Sequence, residues 1–288
     1  MSTPATYEPR SLEPELYAPV IHALRRAGLP VGIVEPVSLN VGDKWIYWAT
    51  SHILRYYRIP HYMLDTNGGP DSKWAKCRSI LWPGGGNVGS MYTPPVQQRM
   101  AIARKTPKRK VIVGPFTAND ASEDLGRYFA IFARDHVTQG EYYPSASLVP
   151  CPTLLHTLRP AKPIQPDYGN IWLRTDVEGA TDVERLKTAT SSVANCRRLQ
   201  VSTKTVSWWN IGLPDPTAHA RGPKEYHCLA ALAPVLVTDR MHFAIAGWLQ
   251  GVEVQLLTGS YHKAKSVYET WLCDKEGITF REDWKVGQ

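Results

Sequence analysis

Arg240 and His242 stand directly behind the apolar run 235–238, which has the composition of a buried strand. An amphipathic helix is predicted to follow, with both side chains in its first turn. In a strand-then-helix unit the helix N-terminus lies at the carboxyl edge of the sheet, where unpaired N–H groups attract anions. Arginine strengthens this attraction, and histidine exchanges protons near neutral pH. The pair predicts an acid–base site for a phosphorylated or carboxylated substrate; the alternative is a solvated Arg240 beside a packed His242.

Asp43 closes a second polar segment, N-V-G-D, which follows the apolar run 31–37. Asn40 and Gly42 are typical of a tight turn after a strand, and an aspartate is typical of a helix start. One interpretation of Asp43 is therefore the N-cap of the helix predicted over 44–57. The functional alternative is a carboxylate at the edge of the sheet that takes a proton from a substrate hydroxyl.

A glycine-rich segment, Gly84-Gly85-Gly86-Asn87, follows the strand predicted over 79–82. Glycines let a backbone approach a ligand closely and expose its N–H groups. The spacing is not G-x-G-x-x-G and no G-K-[ST] follows, so dinucleotide-binding and P-loop interpretations lose support. The segment is predicted to be a turn at the ligand edge of the sheet, with substrate contact as its functional interpretation.

Two further cations are predicted at strand ends. Arg134 follows the strand predicted over 129–133, where it either contacts a ligand or forms a surface pair of little energetic weight with Asp135. Lys263 stands at the start of the helix predicted over 263–275, although lysine favours the opposite end of a helix. An anion bound nearby would explain that placement.

Strand-like apolar runs alternate with helix-like segments along the 288 residues, which predicts an α/β protein with parallel sheets. The length predicts two domains, and a proline-rich stretch places the linker at 157–168. We therefore expect an N-terminal domain over 1–160 and a C-terminal domain over 161–288. The region 203–223 is predicted to be an irregular loop. The remaining predicted elements are strands over 110–113, 170–174, 234–237 and 252–257, and helices over 182–190 and 224–232.

The formal net charge of +7 and the isoelectric point near 9.1 favour anionic partners such as nucleic acid, an anionic membrane face or small acidic substrates. The sequence has no apolar run long enough to span a membrane, and its first residues lack the pattern of a secretory signal. The five cysteines form neither a CxxC pair nor a zinc-ligand spacing. Scattered thiols fit a reducing compartment, so we expect a cytoplasmic protein.

Taken together, these segments resemble the polysaccharide pyruvyl transferase family, and they occur in the family's order. The motifs that carry the resemblance are N-V-G-D at 40–43, G-G-G-N at 84–87, A-R-D at 133–135, R-T-D-V-E at 174–178, V-T-D-R-M-H at 237–242 and S-Y-H-K at 260–263. The resemblance implies a GT-B-like α/β fold of two Rossmann-like domains that face each other across a cleft. It places the acceptor on the N-terminal domain and the donor on the C-terminal domain, with the last helix packing back on the N-terminal domain.

Members of the family transfer the enolpyruvyl unit of phosphoenolpyruvate onto two hydroxyls of a sugar, which forms a cyclic pyruvate ketal. By resemblance, Arg240, Arg134 and Lys263 bind the carboxylate and phosphate of this donor. His242 protonates the methylene carbon, and Asp43 helps to deprotonate the sugar hydroxyl. The other substrate-binding residues that the motifs imply are Asn40, Gly42, Gly85, Gly86 and Asn87. The resemblance implies no metal and no cofactor, because phosphoenolpyruvate is the donor substrate.

The sequence leaves two other functions open. A GT-B glycosyltransferase that uses a nucleotide sugar would direct carboxylates such as Glu253 or Asp239 at ribose hydroxyls, but it gives S-Y-H-K no role. A non-catalytic protein that binds anionic glycans or nucleic acid would need its cations spread along one face. We favour ketal pyruvylation of a polysaccharide or lipid-linked oligosaccharide at the inner face of the membrane, with peripheral membrane contact and no nucleic-acid partner.

Overall fold

The computed structural model describes residues 10–35, 40–65, 72–106, 108–158, 168–174, 200–201, 204–205, 208–212 and 215–282. Within these segments, residues 12–156 form one compact unit, and residues 10–11 group with those after 156 in a second. We call these the N-terminal unit and the C-terminal unit. Each contains its own parallel sheet. The prediction of an α/β fold with two Rossmann-like domains, each built on its own parallel sheet, is confirmed.

The N-terminal unit contains seven described strands and four described α-helices. The strands are β1 Val31–Val34, β2 His61–Leu64, β3 Ser79–Trp82, β4 Gly85–Val88, β5 Lys110–Ala118, β6 Ala130–Ala133 and β7 Ser147–Leu148. The helices are α1 Ala18–Ala27, α2 Val41–Tyr56, α3 Ser72–Lys76 and α4 Thr93–Lys105. Short helical turns lie at Pro14–Tyr17, Ser90–Tyr92, Thr138–Tyr142 and Pro152–Leu155.

The strand order of the N-terminal sheet reverses direction once. The spatial order is β2-β1-β3-β5-β6-β7, with β4 beside the end of β5, and the paired strands are parallel. The chain runs from β1 outward to β2 and then returns to β3 on the other side of β1. In doubly wound sheets ligands bind outside the carboxyl ends of the strands at such a reversal. In this unit the reversal lies between β1 and β3.

The C-terminal unit repeats this plan. Its described strands are β8 Tyr168–Trp172, β9 Gln200–Val201, β10 Lys204–Thr205, β11 Trp208–Gly212, β12 Val235–Thr238, β13 Glu253–Leu257 and β14 Ile278–Arg281. Its described helices are α5 Pro216–His219, α6 Pro223–Ala230, α7 Met241–Leu249 and α8 Lys263–Trp271. The parallel sheet has the order β11-β8-β12-β13-β14, and β9 pairs antiparallel with β10 outside it. The reversal lies between β8 and β12.

Helix α7 packs tightly on the C-terminal sheet and so fixes the corner after β12. Along this fully described helix every residue except His242 is buried. Gly247 lies so close to the sheet that a Cβ there would stand 2.8 Å from Leu236 and 3.2 Å from Val254. Because an all-apolar helix must be covered on every side, α7 has little freedom to rotate or slide. The position of its first turn is therefore set by the core.

The structure corrects some of the elements predicted from the sequence, and one predicted helix lies outside the described residues. The region 203–223 is not an irregular loop, because Trp208–Gly212 pairs residue for residue with Tyr168–Trp172. This pairing joins distant parts of the chain, so flanking glycines and prolines dominate the local pattern. Helix α2 begins at Val41, earlier than predicted. The helix predicted over 182–190 lies outside the described residues. Among the described helices, none is long and apolar enough to cross a bilayer.

Candidate active site

The reversal of the C-terminal sheet carries buried charge. Arg174 follows β8, and Asp239 and Arg240 follow β12, the neighbouring strand. All three residues are buried, with exposed fractions of 6%, 2% and 5%. Charged side chains are rarely buried unless they are paired or bind a ligand. The position and the burial together mark this edge as the candidate active site of the unit.

Arg240 is held by a forked ion pair with Asp215. Nε and Nη2 of the guanidinium donate to Oδ1 and Oδ2 of Asp215, and both side chains are buried. Burial alone disfavours the charged guanidinium, but the hydrogen bonds with Asp215 and the charges of Tyr226 and Asp215 together outweigh it, and the pKa of Arg240 is raised. Asp215 is itself fixed as the N-cap of α5, where Oδ1 accepts from the backbone N–H of Thr217 at 2.9 Å. The orientation of Arg240 is therefore set before any ligand binds.

Asp239 is a buried carboxyl with one hydrogen-bonded oxygen. Oδ1 accepts from the backbone N–H of Arg174 at 2.8 Å, which ties the ends of β8 and β12 together. Oδ2 is buried and has no hydrogen-bond partner in the described structure. Burial raises the pKa of Asp239 to about 6, against the opposing effects of the Arg174 N–H and of the Arg174 and Arg240 charges. The carboxyl therefore changes charge close to neutral pH.

His242 occupies the first turn of α7 and is half-buried. The turn that leads to it is shaped by Thr238, whose Oγ1 accepts from the backbone N–H of Arg240 at 3.1 Å. Arg240 is the N-cap residue of α7, and its side chain makes no capping hydrogen bond. Since first-turn N–H groups carry partial positive charge, this helix start favours an anion. The structure thus brings Arg240 and His242 to one helix start; His242 lies in the first turn, as predicted, whereas Arg240 is the N-cap residue just before it.

Lys263 lies at the same edge of the sheet, after β13. It is the first residue of α8, as predicted, and it is half-buried. Its Nζ lies 5.2 Å from the centroid of the Tyr261 ring, within the range of a cation–π contact. Because β13 pairs in parallel with β12, the helices that follow these two strands both begin beyond the carboxyl edge of the sheet.

In the N-terminal unit, the N-cap of α2 is Asn40 and not Asp43. Oδ1 of Asn40 accepts from the backbone N–H of Gly42 at 2.8 Å, and Asp43 lies inside the first turn. A carboxylate in a first turn is favoured by the helix dipole, so Asp43 needs no capping role there. Asp43 is half-buried, beyond the carboxyl end of β1 and at the reversal of the sheet.

The segment predicted as a glycine turn forms strand β4. Gly85 pairs with Phe116 and Val88 with Ala118, so this backbone lies along β5. Gly84 has φ +97°, and a Cβ there would stand 2.1 Å from the carbonyl oxygen of Pro115. The glycine at 84 is thus required by the approach of the neighbouring strand. Gly85 is buried and Gly86 half-buried; the side chain of Asn87 lies outside what the structure describes.

Arg134 and Asp135 are both fully buried, so the surface-pair interpretation is wrong. Nε of Arg134 donates to Oγ1 of Thr117 at 2.8 Å, and this hydroxyl donates to Oδ2 of Asp135 at 2.6 Å. Asp135 also accepts from the backbone N–H of Thr138 at 2.8 Å. The hydrogen bond of Arg134 to Thr117 is internal to the N-terminal unit, and the role of Arg134 toward a donor stays a prediction.

Sequence reasoning missed Asp215 as the partner of Arg240 and did not assign a role to Arg174. Asp215 precedes Pro216, and Asp-Pro is a typical helix start, but it lies in the region predicted to be a loop. Arg174 follows a strand that the sequence predicts over 170–174, so its position at a strand end was visible. Within the described residues, no group of three or more His, Cys, Asp or Glu is arranged to hold a metal ion.

A family model described as polysaccharide pyruvyl transferase matches residues 40–258. The chain belongs to the polysaccharide pyruvyl transferase family. The comparison with curated protein sequences gave no significant match. The match runs from the N-cap of α2 to the residue after β13, so it includes Arg134, Arg240 and His242. Lys263 lies just beyond it.

Two solved structures are similar to this member of the polysaccharide pyruvyl transferase family at low sequence identity. A protein of uncharacterized function from Klebsiella pneumoniae has a TM-score of 0.60 and 19% identity, with 93% of this chain and 97% of that chain covered. The UDP-GlcNAc 2-epimerase of Methanocaldococcus jannaschii has a TM-score of 0.47 and 10% identity, with 88% and 89% covered. At these identities the likeness of the Klebsiella protein indicates the fold alone.

Proposed function

We propose that the protein transfers the pyruvyl group of phosphoenolpyruvate onto two hydroxyls of one sugar in a polysaccharide or lipid-linked oligosaccharide. Membership of the family indicates a transferase that moves pyruvyl groups to polysaccharides; the donor, the ketal product and the acceptor are our proposal. The observation that carries it is the position of Arg240 and His242 at the start of α7, at the reversal of the sheet. A small donor with a carboxylate and a phosphate matches cations at a helix N-terminus, and histidine supplies a proton.

The reaction balances with groups of this chain. His242 gives a proton to the methylene carbon C3 of phosphoenolpyruvate, which leaves positive charge at C2. One sugar hydroxyl bonds to C2 and releases its proton. The C2–O bond to phosphate breaks, the second hydroxyl bonds to C2, and its proton leaves with the phosphate. The products are the ketal and hydrogen phosphate, so neither oxidant nor reductant is required.

Fixed cations stabilise the charge that moves in these steps. Arg240, oriented by Asp215, binds the donor, and Lys263 at the neighbouring helix start binds its second anionic group. Preoriented charges act more strongly than flexible ones because no reorganisation is needed as the transition state forms. Arg134 is fully buried at the end of β6, and in this proposal it is the third cation that acts on the donor.

The N-terminal unit has the acceptor role in this proposal. Asp43 takes the proton of the attacking hydroxyl, and the backbone of Asn40 and Gly42 at the same helix start binds the acceptor together with that of Gly85 and Gly86, which follow β3. Asn87 belongs to the same segment by sequence. The protein works without a cofactor in the cytoplasm, with its lipid-linked acceptor at the inner membrane face.

The direct test measures inorganic phosphate released from phosphoenolpyruvate with a panel of hexosides that differ in their free hydroxyl pairs. We expect release with at least one acceptor and none without acceptor. UDP-sugars with the same acceptors form the matched control, since a nucleotide-sugar transferase would release UDP instead. Absence of phosphate release with every acceptor, together with absence of phosphoenolpyruvate binding, would overturn the proposal.

A further inference from the structure

Four charged side chains are buried around the ends of β8 and β12. Two are arginines and two are aspartates: Arg174, Arg240, Asp215 and Asp239. Asp215 compensates the charge of Arg240 through the forked pair. Asp239 has the charges of both arginines close by, since each lowers its pKa, and Arg174 also acts on Arg240. With both aspartates ionised, the four side chains carry no net charge.

Asp239 is the unusual member of this group. Its Oδ2 is buried without a hydrogen-bond partner, whereas a buried polar atom is normally satisfied. A carboxylate in that state accepts one more donor or takes up a proton. The residue stands two positions before the start of α7, whose first-turn N–H groups favour an anion. An anion at that helix start repels an ionised Asp239 and is compatible with a protonated one.

We propose that the ends of β8 and β12 form a proton-coupled site for a phosphate-type dianion, in which Arg174 joins Arg240 as a cation and Asp239 takes up one proton as the anion binds. This deepens the proposed function, on which it rests for the identity of the natural anion. Protonation of Oδ2 leaves the group with a net positive charge and turns Oδ2 into a hydrogen-bond donor. Arg174 and Asp239 become binding residues that the sequence motifs did not single out.

Burial raises the pKa of Asp239 to about 6 before any anion is present. Protonation of its carboxylate near neutral pH therefore requires little free energy. Other charged or titratable side chains surround this site. Among the described residues these include Arg174 at the end of β8, Arg240 and His242 around the start of α7, Asp215 before α5 and Tyr226 of α6. His242 must be replaced in the protein used for the measurement, because histidine titrates in the same pH range.

The test uses sulfate, which stays a dianion across the pH range, and the full-length protein with His242→Gln. Sulfate binding is measured by isothermal titration calorimetry from pH 6 to pH 8, in buffers of different ionisation enthalpy. We expect sulfate Kd to rise by up to about tenfold per pH unit above pH 6. At pH 7 we expect uptake of roughly one proton per sulfate bound. Adding Asp239→Asn should abolish the proton uptake and hold Kd within about twofold across the range.

The matched control is Asp124→Asn, which removes one acidic charge from an exposed position of the N-terminal unit. It should leave the pH dependence of sulfate binding unchanged. Asp239→Ser is a second variant for the case that the amide disturbs folding, and thermal unfolding of each variant confirms the fold. Equal proton uptake with and without Asp239, or Arg174→Gln without effect on sulfate Kd, would overturn the inference.

The outcomes separate this inference from the proposed function. Proton-coupled sulfate binding without pyruvyl transfer would retain the site and reject the function. Pyruvyl transfer with proton-independent sulfate binding would retain the function and reject the site.

Discussion

Arg240 differs from the surface cation that its position before a helix suggests. Its guanidinium is buried, and Asp215 engages two of its nitrogens. Spacing identified Arg240 as a strand-end cation, because that follows from the alternation of strand and helix. Spacing could not identify Asp215, because the pair joins residues that are 25 positions apart. Residue types at strand ends are readable from sequence, whereas their partners depend on how strands are ordered.

Arg240→Lys tests whether donor binding and stability depend on the planar fork of the guanidinium and not only on its positive charge. Lysine keeps the charge but loses the planar fork, so we expect weaker phosphoenolpyruvate binding and a loss of about 1–3 kcal/mol in the free energy of unfolding. Arg221→Lys is the matched control, because Arg221 also pairs with a carboxylate, but its side chain is 92% exposed. Unfolding in denaturant and binding titrations measure both effects. An equal response of the two variants would contradict the assigned role of the buried pair.

His242→Ala tests the role of the imidazole. We expect the Kd of phosphoenolpyruvate to change by less than about threefold while turnover falls by at least about a hundredfold, as for loss of a general acid. Phosphate release gives turnover, and calorimetry gives the Kd. Equal losses in binding and turnover would reassign His242 to donor binding.

Helix α7 fixes the candidate site residues at its start by packing on the sheet. The sequence predicts this helix from its strand-then-helix pattern, and the structure adds that it packs on Leu236 and Val254 through Gly247. A sequence shows a glycine but not the surface that it faces. The same limit explains β11, an edge strand whose pairing with β8 lies outside any local window. Elements with strong internal periodicity were predictable, and those formed by distant pairing were not.

Gly247→Ala tests whether the core sets the position of the site. The added Cβ would stand 2.8 Å from Cδ2 of Leu236 in the packed core, so we expect α7 to shift away from the sheet as the Leu236 side chain repacks. We expect a loss of about 1–3 kcal/mol in unfolding free energy, together with a fall in turnover as His242 moves. Gly140→Ala is the control, since a Cβ there meets no atom within 4 Å. Unfolding curves and phosphate release measure the two effects. Unchanged turnover in a destabilised variant would show that turnover does not depend on the position of α7.

At the scale of the whole molecule, the two units share one plan. The order β2-β1-β3-β5-β6 in the first corresponds to β11-β8-β12-β13-β14 in the second. In each, motif residues follow the strands on both sides of the reversal: Asn40 and Gly84 in one, Arg174 and Arg240 in the other. The sequence predicted alternating strands and helices, but strand order is a non-local property. Placing the motifs at the reversals therefore required the structure.

Asp239 also affects the stability of the molecule as a function of pH. Its pKa is raised to about 6 in the folded protein, so the folded state holds the proton more tightly than the unfolded chain. Stability from this group is present at acid pH and is lost as pH rises through about 6. We expect Asp239→Asn to raise the free energy of unfolding by about 1–3 kcal/mol at pH 8 and to have little effect near pH 4. Denaturant unfolding at both pH values measures this, and a destabilised variant at pH 8 would contradict it.

The central claim is that a sugar receives the pyruvyl group of phosphoenolpyruvate as a ketal after protonation of the methylene carbon. The most direct measurement is the reaction of the full-length protein with phosphoenolpyruvate and a responsive hexoside in D₂O, analysed by mass spectrometry and NMR. We predict a ketal product whose methyl group carries one deuterium, with an equal amount of phosphate released. A product that retains an enol double bond, or a sugar transferred from a nucleotide with no ketal, would contradict the account.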